Sequence, residues 1–204
     1  VSTLKNVLIQ NASGSTFLEI SPSRVKSILI AVPSKSEQIA IATALSDADA
    51  LITGLEKLIT KKQNIKRGAM QNLLAPKKDW VDKTLFEIAD DKKELFDDGD
   101  WVESEHITDE GFRMIQTGNI GIGNFIDHNN KKYIYPESFE KLKCKEIRAG
   151  DLLVCRLADP AGRACILPHL NEERIITSVD VTIFRPRAEV ANRIFLTYIF
   201  SSQD

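Results

Sequence analysis

Proline is missing from the whole stretch between Pro33 and Pro76, and glycine occurs in it only as Gly54 and Gly68. Long apolar runs are missing too: none approaches the roughly 18 residues that a membrane span requires. The first residues, VSTLKNVLIQ, have neither the basic start nor the apolar centre of a signal peptide. A cytoplasmic protein is the expectation. The three cysteines, Cys144, Cys155 and Cys165, are odd in number and have no CxxC spacing, so neither a disulfide framework nor a zinc site is indicated. His106, His128 and His169 are scattered and read as surface or core residues rather than metal ligands. Internal repeats and low-complexity linkers are absent. A net charge of −2 gives no support for nucleic-acid binding by itself. With 43% apolar and 27% charged residues the composition is that of an ordinary soluble globular protein, and 204 residues suffice for one domain or two small ones.

The proline-free stretch organises the rest. Ser34 with Glu37 three positions on forms a capping-box signature, Pro33 keeps the preceding segment from entering as helix, and Pro76 ends it. A helix over 34–76 is expected, and about 40 residues at about 1.5 Å each make a rod of about 60 Å. The usual helix has about 11–12 residues. A rod of that length must protrude, span two bodies or pair with another helix. Leu45, Ile52 and Ile59 recur every seven residues, with Ala48 and Leu55 between them, which is coiled-coil spacing. Ile41, Ala44, Leu51 and Leu58 widen the stripe. Lys62 and Lys66 occupy the next heptad positions, where the strict seam fails, and Ile65, Ala69, Met70 and Leu73 start a second apolar patch. The competing reading is a long core helix of an ordinary domain; length argues against it.

Charge is unevenly distributed. Lys57, Lys61, Lys62, Lys66, Arg67, Lys77 and Lys78 follow one another with no acid between them, whereas 87–110 is dense in Asp and Glu, relieved only by Lys92 and Lys93. A basic run on a helix is usually a solvated face; it also suits phosphate or an acidic partner.

Around the helix the pattern is mixed. Residues 1–33 read as a short helical or irregular start, the polar turn NASGST, and then strands, with VKSILIAVP a buried strand over 25–32. WVDKTLFEIA has the spacing of a short helix. FRMIQTGNIGIGNFI predicts strands joined by tight turns at Gly118, Gly121 and Gly123. KKYIYP is a strand and PESFEKLKC a short helix. IRAGDLLVCRLADPAGRACILP is two strands around a loop, RIITSVDVTIFRP a strand pair or one long strand, and RIFLTYIFSS an amphipathic helix. The fold class is therefore α+β, with a mainly antiparallel sheet and a long protruding helix.

The segment with Pro33, Glu37, Gln38, Ile41, Leu45, Asp47, Asp49 and Ile52, followed by the Lys-rich stretch closing on MQNLLA, resembles the conserved central helix of type I restriction enzyme specificity subunits. The stretches MIQTGNIGIGNF, AGDLLVCRLADPAGRACIL and FLTYIFSS look like a target recognition domain of the same family. The Glu-Gln helix followed by a glycine-rich domain is specific, and together these stretches cover nearly the whole chain. The resemblance implies a non-catalytic, cofactor-free subunit that reads one half of a split DNA target. It also implies docking surfaces for the restriction subunits and for methyltransferase subunits, whose target is adenine and whose cofactor is S-adenosylmethionine. No methyltransferase DPPY/NPPF-type motif and no P-loop occurs in the chain.

The order of segments departs from that family, in which a recognition domain precedes the helix. Residues 1–33 would be the strand segment completing the recognition domain, 34–76 the spacer and dimerisation helix, and 77–204 the recognition domain itself. The chain is then either circularly permuted, with 1–33 and 81–204 building one body, or a slice of a two-domain subunit. The first is favoured because the second leaves an apolar strand unpaired.

Base reading needs Arg for guanine and Asn or Gln for adenine, presented from accessible loops. Gln116, Thr117, Asn119 and Asn124 in the first glycine-rich loop are the leading candidates, followed by Arg156 and Arg163 flanking DPAG. Lys131 and Lys132 suit phosphate, and Ser13, Ser15 and Thr16 would join them if the permuted domain holds. The competing reading is that these are turn residues satisfying local backbone groups. One recognition domain and one helix make half of a normal subunit, so a second copy is expected to cover Ile41, Ala44, Leu45, Ala48, Leu51, Ile52, Leu55 and Ile59. An antiparallel pairing would bring Lys57, Lys61 and Lys62 to Asp47 and Asp49 of the other copy. The alternative function is a coiled-coil scaffold without a DNA role. An enzyme in its own right would have only scattered carboxylates such as Glu146 and Asp151.

Overall fold

A computed structural model describes residues 4–13, 17–157 and 160–202. The chain divides into two compact units, Val1–Gln63 and Asn64–Asp204, so the boundary runs through the long helix rather than at its end. No described helix is long and apolar enough to cross a membrane.

In the first unit a short helix, α1 (Leu4–Gln10), is followed by α2 (Pro22–Lys26) and the long helix α3 (Lys35–Leu74). The strand expected over 25–32 does not form. Ser21 caps α2, its hydroxyl accepting the Arg24 N–H at 3.4 Å, and Pro22 at the first helical position has the φ a helix needs. The start of the apolar run is thereby drawn into helix. Beyond it Leu29, Ile30 and Val32 are exposed, Leu29 at 95%, with no partner strand among the described residues. A β-branched run becomes a strand only where a neighbour supplies the ladder. The one described pairing in this unit is an isolated antiparallel bridge between Ser13 and Glu19.

The long helix forms where expected and spans 40 residues. At its start the Ser34 hydroxyl accepts the Glu37 N–H at 3.4 Å, while Gln38, rather than Glu37, bonds back, its side chain reaching the Pro33 carbonyl at 2.8 Å. No residue of α3 is buried. The stripe Ile41, Ala44, Leu45, Ala48, Leu51, Ile52, Leu55 and Ile59 is exposed along its whole length.

The second unit is built on two four-stranded sheets. The first orders β1 (Phe96–Asp98), β8 (Val181–Phe184), β5 (Leu152–Cys155) and β6 (Ala164–Ile166), all antiparallel. The second orders β2 (Ile107–Thr108), β4 (Lys132–Ile134), β3 (Phe112–Ile115) and β7 (Ile175–Thr177), where β3 and β7 pair in parallel. The segment RIITSVDVTIFRP thus breaks after Thr177 and contributes one strand to each sheet.

Strand alternation explains the layering. Leu153, Cys155, Val181 and Ile183 face Ile115 and Ile175 in one cluster between the sheets. Their sequence neighbours Leu152, Val154 and Phe184 point the other way, onto α4 (Leu85–Ile88) and α6 (Arg193–Ser201). Phe112, Met114, Ile134 and Ile176 pack outward under α5 (Pro136–Leu142), joined by Phe139. Both faces of β5 and β8 are buried, which is why LLVC and VTIF read as nearly continuous apolar runs. Full burial of one such Leu or Ile contributes about 1.5–3 kcal/mol.

Candidate nucleic-acid interface

After β3 the chain makes a 3-10 turn, Thr117–Asn119, and returns through a bridge between Ile120 and Phe125. Asn119 holds this turn from inside. It is 5% exposed; its carboxamide oxygen accepts the Gln116 N–H at 2.9 Å and its NH2 donates to the Ile126 carbonyl at 2.8 Å. Both ends of the Asn119 carboxamide are thus engaged in turn geometry. Gly123 has φ +76°, and its N–H donates to the Ala164 carbonyl at 2.9 Å, tying the loop to β6.

Arg163 stitches the same loop to the connection before β6. Its Nε donates to the Ile120 carbonyl at 2.6 Å and its Nη2 to the Thr117 carbonyl at 3.0 Å. Its Nη1 donates to Leu157 and Pro160 carbonyls at 3.1 and 3.0 Å. The structure therefore brings Gln116, Thr117, Asn119, Asn124 and Arg163 together, but Asn119 and Arg163 build the surface rather than project from it. Gln116 and Asn124 are exposed.

The Arg156 side chain bonds to residues outside this cluster. Its Nη2 donates to the Val179 carbonyl and its Nε is 3.4 Å from an Asp98 carboxylate oxygen. Lys131 is also engaged, 3.1 Å from Asp127 and 3.7 Å from Glu172; the hydrogen bond it donates to the Asp127 carboxylate holds its ammonium above the usual lysine range. Lys132 is half-buried on β4, with its carbonyl accepting from Arg113. Ser13 is exposed in the first unit, while Ser15 and Thr16 lie outside the described residues.

Arg113 is the residue that sequence reasoning missed. It is 1% exposed, donates to Asp127 at 3.1 Å and to the Lys132 carbonyl at 3.2 Å, and stacks near Tyr133 at 5.5 Å. A buried guanidinium requires such partners because an uncompensated buried charge costs several kcal/mol. Its place inside an apolar-polar alternating strand gave no signal that it would turn inward. Through Asp127, Arg113 fixes the segment that follows the glycine-rich turn. A second ion pair, half-buried Arg185 with buried Asp151, is bidentate at 3.0 and 2.7 Å and holds the turn that leads into β5. Among the described residues no three His, Cys, Asp or Glu side chains gather as a metal site.

Residues 1–67 match the family model described as type I restriction modification DNA specificity domain. No curated protein matches the sequence. Among solved structures, one reported under "Structural basis underlying complex assembly and conformational transition of the type I R-M system" superposes with a TM-score of 0.54 at 19% identity, over 93% of this chain and 46% of its own. Another, the HsdS subunit from Thermoanaerobacter tengcongensis, gives a TM-score of 0.49 at 18% identity, over 96% of this chain and 49% of its own. The chain thus spans about half the length of the solved structures it matches, and the first of these shares its fold. Over residues 1–67, a third of its length, the chain is similar to the type I restriction modification DNA specificity domain.

Proposed function

We propose that this chain is the DNA-recognition subunit of a type I restriction-modification system, non-catalytic itself. Its two-sheet unit reads half of a bipartite duplex target. Its long helix sets the spacing and offers docking surfaces to the methyltransferase and restriction subunits. The family match over residues 1–67, which runs into a 40-residue helix with no buried residue, carries this reading. The fold shared with a chain from a type I system supports it. A second copy covers the apolar stripe of α3, so that two recognition units face a palindromic, interrupted site. An interface about a two-fold axis uses the same patch on both chains, as this stripe permits.

Salt separates a DNA reader from a scaffold. Phosphate contacts release counterions, so the affinity of the full chain with its methyltransferase partner for a duplex falls steeply between 50 and 200 mM salt, by about 10³-fold or more for six contacts. A salt-independent or undetectable duplex affinity contradicts the proposal.

A further inference from the structure

A groove on the second unit runs between α6, the glycine-rich turn and the last turns of α3, with a volume of about 320 Å³. Lys66, Met70 and Leu74 recur every fourth residue and share one face of α3. Met70 and Leu74 are half-buried, and Lys66 stands one turn before them at the groove. Ile194, Thr197, Tyr198 and Ser201, one face of α6, line it as well, together with Asn124. Gly123 lets the turn come this close, since a Cβ there would meet the Ser201 Oγ at 2.9 Å.

The polar groups of this groove fall into two sets. The Thr197 and Ser201 hydroxyls donate to helix carbonyls at 2.9 and 2.6 Å. The Lys66 ammonium, the Asn124 carboxamide and the Tyr198 hydroxyl have no side-chain hydrogen bond or ion pair to another described residue. That contrasts with Arg156, Arg163 and Lys131, whose donors are taken up internally. Charge sets the groove apart as well. Three other cavities carry carboxylates: Glu94, Asp97 and Glu146 in one, Asp109 and Glu110 in the next, Glu172 and Glu173 in the last. This one has a cation and no acid, and Lys66 belongs to the acid-free basic run of α3.

We propose that the groove is a DNA subsite: Lys66 and Tyr198 hold one phosphodiester of the duplex, and Asn124 reads the adjoining base pair. Asn presents a donor and an acceptor that match the N6 and N7 of adenine in the major groove. Ile122 and Ile166 offer an apolar floor to deoxyribose or a thymine methyl. The assignment rests on the DNA-reading role argued above. It singles out Asn124 among the candidate base readers of the glycine-rich loop and gives the spacer helix a direct phosphate contact.

The test uses the full chain with its methyltransferase partner bound. A target is selected from random-sequence duplexes, and binding to the selected and to a scrambled duplex is followed by anisotropy over a range of salt. Lys66→Gln weakens both duplexes about 3–10-fold and reduces the salt slope by about one. Asn124→Ala leaves the scrambled duplex unchanged and loses about 5–150-fold discrimination at a single base pair. Both variants melt as the wild type does, because neither side chain holds the fold. Wild-type affinity in both variants overturns the groove while leaving the DNA-reading role intact. Equal weakening of both duplexes by Asn124→Ala overturns the base-reading assignment. A wild type without duplex affinity overturns the DNA-reading role and the groove with it.

Discussion

Arg163 donates to four backbone carbonyls that belong to two separate loops. Charge-assisted hydrogen bonds contribute about 1.5–3 kcal/mol each when no water replaces them. Since part of this network is exposed, Arg163→Ala is expected to cost about 2–3 kcal/mol in total, lowering Tm by about 4–12 °C. Arg163→Lys restores little, because an ammonium cannot reproduce the planar fork. A thermal melt of the three proteins decides it. Asp100 makes the opposite prediction. Burial raises its pKa above the ordinary 3.8, against the opposing pull of the hydrogen bond from the Lys145 N–H. Its folded form therefore binds a proton more readily than the unfolded form, and stability falls as pH rises through 3.8 towards the folded pKa. Asp100→Asn keeps an acceptor for Lys145 and removes that fall, so the variant gains on the wild type in urea melts at pH 7 relative to pH 3. At this scale the sequence was least legible. Asn119 and Arg163 sit in a polar, glycine-rich loop exactly as DNA readers would, and only their bond partners reveal a supporting role. Arg113 carries no mark in the sequence of being buried.

Elements were more legible, for a physical reason. A helix is written locally, by spacing, caps and the absence of proline, and α3, α5 and α6 formed where those marks stood. Strands depend on partners far along the chain. LLVC found them on both sides, between β8 and β6, and became a strand buried on both faces. The run over 25–32 found none among the described residues, and its Val25, Leu29, Ile30 and Val32 stayed exposed. The split of RIITSVDVTIFRP between two sheets was equally invisible, since it depends on which neighbour each half meets. For α3 the exposed stripe carries its own prediction. Ile52 is 54% exposed in the single chain and lies at the centre of the seven-residue repeat. Burying one such side chain fully contributes about 1.5–3 kcal/mol, and a carboxylate there would meet its own copy near the two-fold axis. Ile52→Asp is expected to convert a dimer to a monomer, as read by light scattering at micromolar concentration. A wild type that is already monomeric contradicts the pairing.

For the whole molecule, composition and net charge alone pointed nowhere, because a charge of −2 averages a basic helix end against an acidic stretch over 87–110. What connects the parts is a family match over 1–67 and a fold shared with a chain of a type I system. The chain spans about half the length of that solved structure. The most direct measurement of the DNA-reading role is methylome sequencing of cells expressing this chain with its methyltransferase, against cells expressing the methyltransferase alone. The account predicts adenine methylation at an interrupted motif with two-fold symmetry, present only when the chain is present. Methylation that is identical with and without the chain, or a methylated motif lacking that symmetry, would contradict it.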